Sequence, residues 1–494
     1  MNTQFLIDHH PASGKDRHVI RALLRIQGDA PDADNRIPLN LSAVLDNSGS
    51  MGGEKLDRAR EAATGLLAGV HPDDVTSVVT FESDVEVVAS AAPRATQHAL
   101  STRIAQITTR GTTNLSGGWL EGRSQIERHL SSGKSNRIVL MTDGHANAGI
   151  TDPDQLTALF TEARHQGITT STIGFGRDFD EALLERLADA GGGNAHYIEH
   201  PDQAPAVFRA ELDELLTLSA QNVVAEIRLE PHVELAAVHH TYPREGDGDV
   251  LRLRLGDLYA SEPKQLLLEL GAHATGTEPT ALASVVIRAD VLMADGSMEQ
   301  REITLPLASS VAGGPVVNAE VQRTLVLLQA ATTRREALED ERRGLHEDAA
   351  RKLRTAARHV REKVRDDEGR EEANDLERMA KHLEERTFSV MEAKYMRSRS
   401  YSETRGKPSM KERISRAKRE ERGLDSQNRH GRTRGSSRDR ASERHSTRAL
   451  EQRIDHKEHE IHQARQRMEQ MMDHLDRVNV ELEQMRDELR RHRV

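Results

Sequence analysis

The chain contains no cysteine. That absence excludes disulfides, thiolate metal sites and cysteine nucleophiles together, and it fits a reducing compartment. Aromatic residues supply only 3% of the sequence while charged residues supply 30%, a balance that favours long solvated helices over one aromatic core. No apolar run approaches the ~20 residues needed to cross a bilayer. Residues 1–30 also lack the basic start and apolar stretch of a signal peptide, so no membrane role is expected and the expected location is cytoplasmic. At 494 residues the chain exceeds a single core, and about three structural units are expected.

What is present is unevenly distributed. Lys and Arg total 69 against 80 Asp and Glu, a formal net charge of −11. Residues 397–448 run against that average, with 17 basic and 7 acidic side chains, so partners of that segment are considered separately.

From 37 to 219, apolar β-branched runs alternate with segments of helical period, the pattern of strands joined by crossover helices in a mostly parallel, doubly wound α/β sheet. Strands are expected at 37–45, 76–81, 137–142, 168–174 and 196–199. A helix over 54–67 places Leu56, Ala59, Ala63, Leu66 and Leu67 on one stripe. From 220 to 312 the period changes to two, with Val223, Ala225, Ile227 and Leu229 on one face, as in an antiparallel β domain. The extended stretch 19–26 is expected to add a strand to this second domain, within an N-terminal extension over 1–36. Residues 313–396 read as helices with a break near 366–369. Residues 397–447 are dominated by Arg, Ser and Gly and read as a basic linker without stable order. In 448–494, Ile454, Ile461, Met468, Leu475, Leu482 and Leu489 recur every seven residues, with Leu450, Ala464, Met471, Val478 and Met485 on a second seam. Lys457 interrupts that seam; a coiled coil, and hence a homo-oligomer, is expected.

The first α/β strand runs into Asp46-Asn47-Ser48-Gly49-Ser50, which puts a carboxylate and two hydroxyls on a strand-to-helix turn. Such a turn offers oxygen ligands alone, suited to a hard cation such as Mg²⁺, with Mn²⁺ or Ca²⁺ also open, rather than to zinc. It lies where open α/β sheets bind ligands, beyond the carboxyl ends of the strands. The bland reading is that Asp46 or Ser50 caps the following helix. Two further elements shift the balance: Gly111-Thr112-Thr113-Asn114 precedes another helix, and Thr142-Asp143-Gly144 ends another strand.

Asp46, Ser48 and Ser50, then Thr113, then Asp143 resemble the five-residue metal-ion-dependent adhesion site of von Willebrand A domains of bacterial type. Met141 to Gly144 and Thr172 to Gly176 are similar to that family as well. The resemblance covers about 37–219, and Gly256-Asp257-Leu258 extends it into the following β domain. It implies that the hydroxyls and carboxylates hold Mg²⁺ and that a partner protein's Asp or Glu completes the coordination. It also implies a binding module rather than an enzyme, with an AAA-ATPase or a regulatory complex among the partner classes.

Other signals are weaker. Ser132-Gly133-Lys134-Ser135 lacks the upstream glycine of a phosphate loop, where Arg128 stands. Gly191 to Gly193 reads as a tight turn. His239 and His240 point to opposite faces of one strand and cannot chelate together. Trp119 is expected to pack half-buried near the Thr113 loop. The competing functions are nucleic-acid or acidic-surface binding through 397–448 and Mg²⁺-dependent phosphoester hydrolysis, for which the five residues leave no evident nucleophile or base.

Overall fold

The computed structural model describes residues 1–407 except 12–16, 30–35, 98, 132, 177–178, 199–202, 246–249, 261, 274–279, 294–296 and 310–315. The expected coiled coil over 448–494 and all but the first residues of the basic segment lie outside the described residues. In chain order the elements begin with strands β1 (Asn2–Pro11) and β2 (Arg17–Gln27). The α/β part follows: β3 (Leu39–Asp46), α1 (Glu54–Ala68), β4 (Val75–Phe81), β5 (Val85–Pro93), α2 (Leu100–Ala105), α3 (Leu115–Glu127), β6 (Ser135–Thr142), α4 (Pro153–His165), β7 (Ile168–Phe175), α5 (Glu181–Gly191), β8 (Gly192–Ile198) and α6 (Ala204–Leu216). Antiparallel strands come next: β9 (Leu218–Leu229), β10 (Val233–Val238), β11 (Arg244–Glu245), β12 (Val250–Tyr259), β13 (Lys264–His273), β14 (Thr280–Leu292) and β15 (Met298–Ser309). Four helices close the described chain: α7 (Ala319–Arg342), α8 (His346–Lys363), α9 (Asp367–Glu384) and α10 (Val390–Thr404).

Strands β3, β4, β6 and β7 are buried at every position. Burial at every position, polar residues such as Ser42, Thr76, Asn136 and Thr170 included, belongs to strands of a sheet covered on both faces. The sheet order is β5-β4-β3-β6-β7-β8, parallel throughout except that β5 runs against β4. The chain enters at β3, winds outward to β5, then returns to β6 beside β3 and winds the other way. The switch point therefore falls between the carboxyl ends of β3 and β6. Residues of α1, α2 and α6 pack one face of the sheet, and those of α3, α4 and α5 pack the other. Sequence reasoning assigned no strand to 85–93. This edge strand has its β-branched residues, Val85, Val87 and Val88, in its first half alone, ends in Ser-Ala-Ala-Pro and is only partly buried, so local propensity is weak over its second half.

The remaining strands form two antiparallel sheets, β1-β2-β13-β10 and β11-β12-β9-β14-β15. Their inner faces share one core, in which Ile20 and Leu24 of β2 and Leu266, Leu268 and Leu270 of β13 face Val223, Ala225 and Ile227 of β9. β2 pairs along its length with β13, so a segment preceding the α/β part is built into the sandwich that follows it. α7 lays Val321, Leu325 and Leu328 on the outer face of the first sheet, against Leu23 and Leu267. The four C-terminal helices share a further core. Asp366 caps α9 by accepting from the Gly369 amide at 2.8 Å, and its position coincides with the break expected in the helical pattern.

The start expected for the basic segment, residue 397, falls inside α10. Arg397 pairs with Glu185 at 2.9 Å and Arg399 with Asp375 at 2.6 Å. Arg405 pairs with Asp189, and Lys407 donates to Asn194. These cations are engaged by acidic and amide groups of the folded part, which is why the helix continues past the composition change.

Candidate metal centre

The strand-to-helix turn after β3 is built by backbone and side chain together. Asn47 N donates to Phe81 O at 3.0 Å and Arg110 N to Asn47 O at 2.9 Å, while Asn47 Nδ2 donates to Thr108 O at 2.8 Å. Asn47 thus staples the turn to β4 and to the loop ahead of Thr113. Residues Gly49–Met51 form a short 3-10 turn, and α1 begins after Gly53, whose φ of 77° suits glycine. Gly53 is the N-cap of α1, with no side-chain cap hydrogen bond. The bland reading in which Asp46 or Ser50 caps that helix is therefore not what the structure contains.

Asp46, Ser48, Thr113 and Asp143 are buried, and Ser50 is exposed at the mouth of the site. Asp46 is fixed by two donors: Ser48 N reaches Oδ1 at 2.8 Å and Thr142 Oγ1 reaches Oδ2 at 2.5 Å. Ser48 Oγ lies 3.1 Å from Ser50 Oγ, and Ser50 Oγ donates to Asp143 Oδ1 at 2.7 Å. Thr113 is set by reciprocal contacts with the loop after Asp143, its amide donating to Asn147 Oδ1 at 2.8 Å and its carbonyl accepting from Asn147 N at 3.2 Å. A Cβ on Gly144 would stand 3.1 Å from Thr113 Oγ1 and 3.7 Å from Ser50 Oγ, so a bare glycine there lets the two loops close over one point. Asn114 caps α3 by accepting from Gly117 N at 3.0 Å. The structure thus gathers the five oxygen-bearing residues from three loops at the switch point.

Two carboxylates at one buried place carry an electrostatic cost. Burial pushes the Asp46 carboxyl up to about 6, against the hydrogen bonds from Thr142 and Ser48 that pull it down, and the charge of Asp143 adds to the rise. Part of the excess negative charge is met by a residue that sequence reasoning missed. Lys55, in the first turn of α1, places its ammonium on Asp143 Oδ2 and 3.3 Å from Ser50 O. The available signal was position: a lysine five residues after Ser50, on a helix starting at the turn, lies within reach of the turn's acceptors.

The other singled-out residues resolve structurally. Trp119 is fully buried, more than expected; it stacks on Phe160 with centroids 4.2 Å apart and donates to Thr170 Oγ1 at 3.1 Å. His240 is buried and accepts from Leu267 N at 3.1 Å, while His239 lies 3.4 Å from Glu269. The triple glycine is a helix C-cap as well as a turn: Gly191 ends α5, Gly192 adopts φ 73°, and a Cβ on Gly193 would fall 2.2 Å from Thr170 O.

Comparison with known proteins agrees with the fold that carries this site. Residues 40–210 match the family model of the von Willebrand factor type A domain. Protein sll0103 of Synechocystis sp. is 30% identical over 68% of this chain and 81% of its own length. The chain belongs to the von Willebrand factor type A domain family. Protein YfbK of Escherichia coli is 30% identical over 43% of this chain, a match that spans only 37% of that protein. Among solved structures, the von Willebrand factor type A protein from Catenulispora acidiphila superposes with a TM-score of 0.59 at 18% identity, over 76% of this chain and 89% of that one. That similarity extends well beyond the α/β part.

Proposed function

We propose that the chain is a protein-interaction module that holds a divalent cation, Mg²⁺ by preference and Mn²⁺ or Ca²⁺ as alternatives, on Asp46, Ser48, Ser50, Thr113 and Asp143. The observation that carries this reading is the convergence of two buried carboxylates and three hydroxyls at the switch point of the sheet. The donor set fits: it is all oxygen, as a hard cation requires, and the Lys55 ammonium on Asp143 marks the place as one that attracts positive charge. When bound, the ion supplies a Lewis-acidic position open to an anionic oxygen from outside. The chain's own residues do the rest. Thr142 and the Ser48 amide keep Asp46 in one orientation, and Asn147 holds Thr113. Ser50 stands at the exposed rim, where a partner's Asp or Glu would enter. The partner is thus a protein presenting a carboxylate, and an AAA-ATPase or regulatory complex is the partner class that the family resemblance suggests. The heptads of 448–494 would gather several copies and raise the apparent affinity.

The test uses the full chain as bait in native lysate with Mg²⁺, with EDTA, and as Asp46→Ala with Mg²⁺, alongside calorimetric titration of Mg²⁺ into each protein. The reading predicts saturable Mg²⁺ binding by wild type alone and partners retained in the first arm alone. Equal retention in all three arms, or equal heats for wild type and variant, would overturn it.

A further inference from the structure

Helix α10 grips the α/β part through charge more than through apolar packing. Its buried positions are Lys394, Met396, Ser400 and Thr404, and Met396, the one hydrophobe among them, belongs to the core of the helical bundle. The grip consists of Lys394 on Glu181 at 2.7 Å, Arg397 on Glu185 at 2.9 Å, and Tyr401, with Arg405 just past the helix, on Asp189. Buried pairs of this kind lose much of their Coulomb gain to desolvation, so they fix a position while adding less stability than apolar packing would. A cavity of about 20 Å³ between Phe179, Leu184, Tyr197, Lys394 and Tyr401 leaves the fit beneath the helix incomplete. Such an interface opens at lower cost than the sheet core beside it.

One contact of the grip leads toward the metal centre. Lys394 Nζ donates to Phe179 O at 2.8 Å and stands 3.8 Å from the centroid of the Phe179 ring. The same ring packs on the end of β7, where a Cβ on Gly174 would stand 2.4 Å from Phe179 Cε2. Two residues further on, Gly176 borders the stem of Lys55; a Cβ there would stand 3.2 Å from Cε and 3.5 Å from Nζ. Lys55 in turn rests its ammonium on Asp143. Gly174 also pairs with Thr142 in the sheet, and the Thr142 hydroxyl holds Asp46. A row of packed groups thus runs from α10 through Phe179 and the end of β7 to the lysine that sits on the candidate metal centre.

We propose that α10 is an inhibitory clasp on that centre, an inference that rests on the proposed cation site. While Lys394 pins Phe179 against Gly174, the end of β7 keeps its place and Gly176 confines the Lys55 stem, so the ammonium stays on Asp143. An entering divalent cation must move that ammonium off the carboxylate or bear its repulsion, and the confined stem has little room to yield. With α10 withdrawn, the end of β7 relaxes, Lys55 swings outward and the cation binds more tightly. By linkage, a bound cation loosens α10 by the same factor. Occupancy of the centre and docking of α10 are then two sides of one equilibrium.

The test titrates Mn²⁺ into the full chain, following the free ion by electron paramagnetic resonance, for wild type, Lys394→Met, Lys55→Ala and the double variant. Lys394→Met should tighten binding by about fivefold or more, the lower end of usual couplings between sites, and should add nothing in the Lys55→Ala background. The plain effect of removing one positive charge would persist in that background. Independently, Mg²⁺ should speed amide exchange over residues 390–404 in wild type, against the general slowing that ligand binding brings, and should not do so in Lys55→Ala. Absence of Mn²⁺ binding by wild type would remove the cation site, and the clasp with it. Three results overturn the clasp alone: wild type binds Mn²⁺ and Lys394→Met binds it no more tightly, the gain survives in the Lys55→Ala background, or Mg²⁺ fails to speed exchange in α10. Should Lys394→Met fail to fold, Arg397→Gln, which removes the partly exposed partner of Glu185, decides in the same way.

Discussion

Lys55 offers the most discriminating perturbation of the metal centre, because its sign does not depend on how the ion is coordinated. Its ammonium sits on Asp143 Oδ2 while Asp143 Oδ1 accepts from Ser50. If Asp143 binds the cation directly, the ammonium must yield part of the carboxylate. If Asp143 acts through water, the ammonium stays and repels the incoming charge. A single and a double positive charge about 5 Å apart repel by about 1.7 kcal/mol even at the dielectric constant of water, and by roughly four times that at an effective value of 20. Lys55 is about one quarter exposed and its stem is flexible, so the lower figure is the better guide. Lys55→Ala should therefore tighten Mg²⁺ or Mn²⁺ binding by roughly 10- to 30-fold. Titration of Mn²⁺ followed by electron paramagnetic resonance of the free ion reads this directly, with Lys55→Arg as the control that keeps the charge. Unchanged or weaker binding in Lys55→Ala would refute the electrostatic argument and leave Lys55 as a strut for the Asp143 loop.

Further outcomes follow from the same structure. In metal-free buffer at pH 7, Asp46→Asn should raise stability by about 1–2 kcal/mol, because the raised carboxyl charges only against burial. The advantage should fade as pH falls from about 6 to 3.8, the interval between the folded and ordinary values, and saturating Mg²⁺ should reverse the order of the two proteins in a melting experiment. Burial pulls the His240 imidazole down from 6.5 to about 3, so between those values the unfolded chain binds a proton that the folded chain does not. Its contribution to stability is complete above 6.5 and is lost as pH falls, by up to about 1.4 kcal/mol per unit; denaturant melts should show a shallower acid limb in His240→Gln. Trp119→Phe leaves the Thr170 hydroxyl unpaired beside a small void and should cost about 1–3 kcal/mol. Circular dichroism must report that melt, since the chain's one tryptophan is gone.

The α/β sheet was legible in the sequence because its central strands are buried on both faces, so each appears as a short stretch rich in apolar and β-branched residues, without charges at every second position, between turn residues. The positions of Asp46 and Asp143 followed from the same regularity, since each ends such a run at the carboxyl edge of a strand. Thr113 was harder: it lies on a loop after α2 with no strand leading to it, so the helix that follows marked its loop and the resemblance to a family marked the residue. The antiparallel sandwich was legible as a change of period, with Val223, Ala225 and Ile227 all facing its core. β5 was missed because an edge strand half in solvent needs no strict period, and its β-branched residues stop at Val88.

What composition could not reveal was where charge would be answered by charge from far along the chain. The basic excess beginning at 397 reads as one solvated segment, yet Arg397, Arg399 and Arg405 find Glu185, Asp375 and Asp189, more than 20 residues away in every case. Those acids lie on α5 and α9, whose exposed-looking sequences gave no sign that α10 would cover them. Lys55 escaped notice for the same reason, because its partner Asp143 is 88 residues distant. Apolar periodicity is a property of a local stretch, whereas compensation of buried charge belongs to the assembled fold. The candidate metal centre could therefore be placed from its turns, while the ammonium of Lys55 that answers its charge emerges only when distant parts of the chain are brought together.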